Sequence, residues 1–160
     1  MYENEDVHRF YGRHGAALYD LKDKRYFERY VDVMAVAPII GFAYGRMSEL
    51  DHADLDDPGR QAPATQISKV NHQLEIDYKL IMLLDDDYEP NFDERLKKAF
   101  IVEPLDRSPE DLEHFESYLR GGIDYLYENI IAEGNTLDNQ LIELEDLLNS
   151  YSDRFCSMNE

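Results

Sequence analysis

The chain has 160 residues and a formal net charge of −19 at pH 7, and 43% of its residues are hydrophobic. This length is enough to bury a core in one domain spanning residues 1–160, and the acidity argues against direct binding to nucleic acid or to anionic lipid. The charge is uneven, because residues 51–160 hold 27 acidic and 9 basic residues whereas residues 1–50 hold 8 and 7. We therefore expect a strongly negative surface on one side, which favours a basic protein as partner.

The cysteine content and the hydropathy indicate in which cellular compartment the protein is expected. Cys156 is the only cysteine, so no intrachain disulfide can form, which fits a reducing cytosol. The N-terminal sequence MYENEDV lacks the basic and apolar regions of a signal peptide. The uncharged run over 33–45 is shorter than the ~20 residues that a membrane span needs. We therefore expect a cytoplasmic protein that does not enter a membrane.

The first half of the chain shows helical spacing followed by a loop. A short helix is predicted around 7–21, with two glycines as weak points. Apolar residues then recur at three- and four-residue steps, which predicts one helix over about 24–46. Residues 51–66 combine three helix breakers with a run of acids, and we interpret them as an acidic surface loop.

The second half of the chain contains clear helix-start signals. An apolar stripe predicts a helix over about 66–84, and Asn91 or Asp93 is predicted to cap a short helix after the turn DDDYEPN. Ser108, followed by a proline and two acids, is a strong start signal for a long helix. A last helix is predicted over about 136–151. Because no segment alternates like a strand, the expected fold class is all-α, a single-domain bundle of five to six helices.

The uncharged run VMAVAPIIGFAYG lies in the predicted central helix and is apolar on every side, which predicts a buried helix. Pro38 cannot donate the hydrogen bond of a helix interior, so a kink is predicted there. Ala37, Gly41 and Gly45 recur every four residues and form a groove without side chains, which predicts close approach of another helix. That helix belongs to the same chain or, alternatively, to a second copy or a partner subunit. One methyl group is expected to fit, so Gly41→Ala is expected to be mild.

The positions of acidic residues and histidines suggest two kinds of metal site for consideration, a calcium loop and a di-iron site. The segment DDDYEPNFDERL places acids at four positions of a calcium loop, but Pro90 stands where glycine is required and Leu96 where glutamate is required. A carboxylate and a histidine three residues apart, as in di-iron bundles, occur three times, although chance pairs are expected in so acidic a chain. The candidate metal ligands from these pairs are Glu49, His52, Asp111 and His114.

No catalytic constellation is evident in the sequence. No serine lies in a G-x-S-x-G elbow, and no glycine-rich phosphate loop is present. Cys156 is close to the C-terminus and is interpreted as an incidental thiol. The pair Gly121-Gly122 is interpreted as a site of close helix packing or a bend. No cofactor is therefore expected.

These features favour a non-enzymatic, acidic helical interaction protein, an accessory or regulatory subunit that binds another, basic protein. One alternative is mimicry of DNA, in which the acidic face occupies the nucleic-acid site of a defence enzyme or another nucleic-acid-binding enzyme. A second alternative is a metal-dependent helical enzyme, and a further possibility is that the charge serves only solubility or adaptation to salt. The candidate interaction residues are Ala37, Gly41 and Gly45 in the groove and Asp85, Asp86 and Asp87 in the acidic turn.

Overall fold

The computed structural model describes residues 7–51 and 60–131, together with residue 149. The fold is a mostly helical single domain with a small two-stranded sheet, which confirms the predicted fold class. Its helices are α1 (Gly12–Asp23), α2 (Tyr30–Met34), α3 (Ala37–Ala43), α4 (Ala64–Leu84), α5 (Phe92–Phe100) and α6 (Pro109–Ile130). The strands are β1 (Val7–Phe10) and β2 (Arg60–Pro63), and a 3-10 turn covers Pro104–Asp106.

The helix starts predicted in the second half of the chain are confirmed. The side-chain oxygen of Asn91 caps α5 by accepting from the backbone N–H of Asp93 at 2.9 Å. The hydroxyl of Ser108 caps α6 by accepting from the backbone N–H of Asp111 at 3.1 Å. In both cases a short polar side chain satisfies an N–H group that the first turn leaves free. The helix predicted over 136–151 lies outside the described residues.

The N-terminal helix is shorter than predicted because residues 7–10 form a strand. β1 pairs antiparallel with β2, with Phe10 opposite Arg60. A four-residue strand is too short to show alternation, and its partner lies fifty residues away, so local spacing could not reveal it. The predicted loop over 51–66 is likewise wrong at its end, since residues 60–63 are β2; residues 52–59 lie outside the described ranges.

The apolar stretch predicted as one kinked helix is two consecutive helices, α2 and α3. Helical structure starts at Tyr30 rather than near residue 24, because Arg25 has a φ of 64° and cannot belong to a right-handed helix. The chain leaves the helix at residues 35–36, and Pro38 occupies the first turn of α3, where no N–H donor is required. The bend predicted from Pro38 is therefore present as a break between two helices.

α3 lies against α6 with almost no side chain between the two backbones. Ala37 and Gly41 on α3 and Gly121 and Gly122 on α6 are all buried. A Cβ atom built on Gly122 would overlap the carbonyl group of Ala37, and one built on Gly41 would lie 2.9 Å from the carbonyl carbon of Tyr118. Glycine hydrogens thus face carbonyl oxygens, a geometry that recurs where helices touch closely. The predicted groove is therefore filled by α6 of the same chain.

Gly45 is not part of this contact and instead ends α3. Its φ is 60°, and a Cβ atom built on it would meet nothing within 4 Å. The N–H of Gly45 donates to the Phe42 carbonyl at 3.1 Å, and the N–H of Arg46 donates to the Gly41 carbonyl at 2.7 Å. This is the Schellman arrangement, in which a left-handed residue satisfies the last carbonyls of a helix. The chain then reverses, and the Arg46 carbonyl comes to lie against Gly121.

α6 is the element around which the others are arranged. It packs against α1, α3 and α4, and its buried apolar side chains are Phe115, Leu119, Ile123, Leu126 and Ile130. It is also the longest described helix, at 22 residues. None of the helices within the described ranges is both long and apolar enough to cross a membrane.

One carboxylate lies inside the core. Asp77 on α4 is 0% exposed, and Gln73 donates to its Oδ1 at 2.7 Å. Its Oδ2 has no hydrogen-bond partner among the described residues. Burial, opposed only by the hydrogen bond from Gln73, raises the pKa of Asp77 to about 6. Asp77 is therefore mostly ionised at neutral pH in surroundings that penalise its charge.

The glycine contact leads to a prediction that replaces the mild effect expected for Gly41→Ala. Gly41→Ala and Gly122→Ala should each lower the free energy of unfolding by about 3 kcal/mol or more, because the new methyl group meets backbone that cannot move aside. Gly45→Ala should cost only about 1 kcal/mol, the strain of a left-handed alanine. Thermal and urea unfolding followed by circular dichroism measure the three costs. Equal costs for Gly41→Ala and Gly45→Ala would contradict the backbone contact.

Asp77 leads to a prediction about pH. Because the folded-state pKa of about 6 lies above the ordinary value of 3.8, the stability associated with the neutral carboxyl is complete below pH 3.8 and is lost as the pH rises through 6. Asp77→Asn should therefore be more stable than the parent at pH 8, and this advantage should shrink toward pH 4. Urea unfolding of both proteins at the two pH values measures the difference. An advantage that does not change with pH would show that Asp77 titrates normally.

Candidate interaction surface

The most exposed large apolar side chains of the described residues lie together where α5 ends. Leu105 is 75% exposed, Ile101 is 72% exposed and Phe100 is 59% exposed. We call these three residues the apolar edge. Their backbone is held by hydrogen bonds at the end of α5, where the N–H groups of Ile101 and Val102 both donate to the Lys97 carbonyl at 2.9 Å. Grouped apolar side chains on an ordered backbone are a common mark of a contact site.

A cleft of about 280 Å³ opens beside the apolar edge. One wall is polar and belongs to α4, and its residues are Asn71, Glu75 and Lys79. The other wall is mostly apolar and follows the end of α5, with Ala99, Phe100, Val102, Glu103 and Pro104. Phe100 belongs to both the cleft and the apolar edge, so the two form one continuous surface.

The backbone before the apolar edge is held by an ion pair between α5 and α6. Lys98 Nζ donates to Asp111 Oδ1 at 2.6 Å, and the Tyr88 hydroxyl donates to the same oxygen at 2.8 Å. Asp111 is only 6% exposed. Burial alone would raise its pKa, but the hydrogen bonds from Lys98, Tyr88 and Ser108 outweigh burial and lower the pKa of Asp111. The carboxylate is therefore ionised at neutral pH and ties α5 to the first turn of α6.

The backbone after the apolar edge is held by a second ion pair. The side chain of Arg107 is 1% exposed, and both of its terminal nitrogens donate to the Glu75 carboxylate, one of them at 3.0 Å. The guanidinium also lies 3.8 Å from the centroid of the Tyr78 ring. Burial would raise the pKa of Glu75, but the hydrogen bonds and the charge of Arg107 lower it. A bidentate pair of this kind fixes geometry as well as charge.

The acidic turn that precedes α5 is held against α6 by Asp85. The Tyr118 hydroxyl donates to Asp85 Oδ2 at 2.8 Å, and His114 Nε2 lies 2.7 Å from the same oxygen. The Tyr88 ring stacks on the His114 ring with centroids 3.7 Å apart. Burial, together with the hydrogen bond to Asp85, raises the pKa of Tyr118, so this hydroxyl keeps its proton. The turn, α5 and α6 are thus joined by hydrogen bonds into one unit.

The six residues predicted to interact with a partner are divided between the interior and the surface. Those inside the fold are Ala37, Gly41 and Asp85, and those exposed are Gly45, Asp86 and Asp87. None of the six lies in the apolar edge or lines the cleft. The surface itself was not found from the sequence.

The candidate metal ligands do not come together in the described residues. Asp111 and His114 have the predicted spacing on α6. However, Asp111 pairs with Lys98, and His114 contacts Asp85. Glu49 is exposed, and His52 lies outside the described residues. In ranges 7–51 and 60–131, no group of three or more His, Cys, Asp or Glu side chains could hold a metal ion.

A serine, a histidine and an aspartate meet between α1 and α6, a group that the sequence analysis missed. His14 Nε2 lies 3.2 Å from Ser48 Oγ and 3.4 Å from Asp124 Oδ2, and the Ser48 hydroxyl donates to Asp124 at 2.9 Å. In a catalytic triad the serine and the carboxylate contact opposite nitrogens of the imidazole. Here both contact the same nitrogen, so the arrangement does not support proton relay. It joins α1 and the segment after α3 to α6.

Comparison of the chain with known protein families, with curated proteins and with solved structures finds no match. The function is therefore inferred from the surface and its supports alone.

The Lys98–Asp111 ion pair leads to a prediction about two neighbouring lysines, Lys98 and Lys97. Lys98→Met should lower the free energy of unfolding by about 2 kcal/mol or more, because it leaves the buried carboxylate of Asp111 without its cation. Lys97→Met is the matched control, since Lys97 is exposed and its ion pair within the described part of the chain is with Glu94, at 3.2 Å; its cost should stay within ~0.5 kcal/mol. Urea unfolding measures both. If the two variants lose the same stability, the Lys98–Asp111 ion pair does not hold α5.

Proposed function

We propose that the protein is a non-enzymatic interaction protein, an accessory or regulatory subunit that binds another protein through the apolar edge and the adjoining cleft. The observation that supports this most directly is the exposure of Ile101 and Leu105 on a backbone that is held at both ends. The Lys98–Asp111 and Glu75–Arg107 ion pairs hold the backbone before and after these two side chains. Their apolar area therefore stays in water until a partner covers it, and covering it stabilises the complex.

The partner is expected to be basic. The chain carries a net charge of −19, and the exposed acids Glu103 and Asp106 flank Pro104 and Leu105 in the sequence. An apolar centre with a charged rim is the usual anatomy of a protein–protein contact. Long-range attraction between opposite charges then raises the rate of encounter and excludes acidic competitors. Cys156, the only cysteine, is compatible with action in the cytoplasm.

The proposal is tested by removing the apolar edge without changing charge. The double variant Ile101→Ser/Leu105→Ser serves as bait in an extract of the native cells, beside the parent and the control Leu50→Ser. Leu50 is 44% exposed in the segment after α3, does not belong to the apolar edge and does not line the cleft. The parent and the control should retain the same protein, and the double variant should bind it about tenfold more weakly or worse once the purified pair is measured by calorimetry.

All three baits should melt alike, since substitutions of exposed side chains change stability little. If the double variant retains the same partner as strongly as the parent, the apolar edge is not the contact site. The identity of the retained protein distinguishes an accessory subunit from a mimic of DNA. A nucleic-acid-binding enzyme would favour mimicry of DNA, and any other basic protein would favour an accessory subunit.

A further inference from the structure

The outward side of α4 carries a row of exposed apolar side chains. Ile76 is 38% exposed, Leu80 is 41% exposed and Leu84 is 47% exposed. Because they recur every four residues, they follow one side of the helix for about 12 Å, opposite the buried side that includes Leu74 and Tyr78. We call these three residues the α4 stripe; none of them lines the cleft. Apolar side chains on the solvent side of a helix are typical of a helix–helix contact.

We infer that the α4 stripe is a contact between two copies of this chain, in which the two α4 helices pack antiparallel about a two-fold axis. Such a contact uses the same patch of both copies, so every pairing occurs twice. With the axis level with residue 78, Ile76 of each copy lies level with Leu80 of the other. The inference concerns a different surface from the proposed function and does not depend on it.

The charges along α4 are arranged so that an antiparallel copy complements them. Lys69 is exposed on the side of the stripe, two turns before it begins, and Asp86 and Asp87 are exposed directly after α4 ends at Leu84. With the axis level with residue 78, Lys69 of each copy comes beside Asp87 of the other. A cation at the C-terminal end of a helix is also favoured by the helix dipole. A parallel pair would place like charges together, so the charges select the antiparallel arrangement.

The outward side of α4 is unusual in this chain because it lacks acids. The exposed residues of α4 include no acid, although the net charge of the chain is −19. The two acids of the helix are placed elsewhere, since Glu75 pairs with Arg107 and Asp77 is buried. Acids outside the contact repel one another only weakly, because the screening length is about 8 Å at physiological ionic strength. Two acidic chains can therefore meet along α4.

The same pattern argues against other occupants of the stripe. A basic segment would meet no exposed acid along the helix itself, and an acidic segment would be repelled by Asp86 and Asp87 at its end. A second copy is positive at the end where the first is negative, and it is apolar between the two ends. It is therefore the occupant that matches the whole length of the stripe.

Sedimentation equilibrium of the full-length protein tests the contact. The average mass should rise from that of one chain toward that of two between about 5 µM and 500 µM, because a contact of two helices is small and its affinity low. Leu80→Gln keeps the charge and a good helix former, and it should weaken the association about tenfold or more. Leu50→Gln, at an exposed leucine outside α4, should associate like the parent, and both variants should melt like it. A one-chain mass at every concentration, or unchanged association of Leu80→Gln, would overturn the inference.

The antiparallel arrangement is tested by exchanging charges. Lys69→Glu should weaken the association about fivefold or more, because it places acid beside acid twice in each dimer. Lys24→Glu, at an exposed lysine that follows α1, makes the same change in net charge and should have a smaller effect. The double variant Lys69→Glu/Asp87→Lys has the parent's net charge and should regain its affinity.

Rescue in the double variant can come only from a contact between copies. Within one chain, positions 69 and 87 lie about 20 Å or more apart along α4, too far for an intrachain ion pair. Rescue therefore supports the antiparallel register. A double variant that associates as weakly as Lys69→Glu, or a Lys69→Glu that behaves like Lys24→Glu, would overturn it.

Discussion

The direct contact between the backbones of α3 and α6 is the constraint on which the rest of the structure depends. Gly41 and Gly122 remove the side chains that would hold two helices apart, and the carbonyl groups of Tyr118 and Ala37 occupy the space. Such a contact has one register, because any slip would place a side chain where only a hydrogen fits. α6 is thereby fixed in the middle of the domain, where it also packs against α1 and α4.

Several of the contacts that hold other elements near α6 are made by basic side chains. Lys98 binds Asp111 in the first turn of α6, and Arg107, which precedes that helix, binds Glu75 on α4. Further along α6, Arg120 is 4% exposed and donates to the backbone carbonyl of Ser48 at 2.8 Å. Each of these bases also pairs with an acid, which for Arg120 is Glu113. The negative charge of the protein therefore follows from its excess of acids.

The same internal ion pairs hold the backbone that carries the exposed apolar side chains. Its two ends, Lys98 and Arg107, are bound to Asp111 and Glu75. The hydrogen bond from the Asp106 N–H to the Glu103 carbonyl, at 2.9 Å, closes the turn between them. A surface formed in this way loses little conformational entropy when a partner covers it, which favours tighter binding.

Local chemistry predicted much of the fold and little of the surface. Asn91 and Ser108 marked two helix starts because capping acts within a few residues. The glycines at 41 and at 121–122 were both interpreted as packing sites, but spacing along each helix could not show that they contact one another. Strand β1 was missed because its pairing is long-range. The two ion pairs were missed because they join residues 13 and 32 positions apart, and the apolar edge resembles the core-facing end of a helix.

The central claim is that the apolar edge is rigid before any partner binds, and backbone nuclear magnetic relaxation of the free protein tests it most directly. The amides of Ile101, Glu103 and Leu105 should have order parameters of about 0.85, equal to those within α5, because ion pairs hold the segment at both ends. Values below about 0.6 at these three residues, beside a rigid α5, would show that the segment moves freely and would contradict the account.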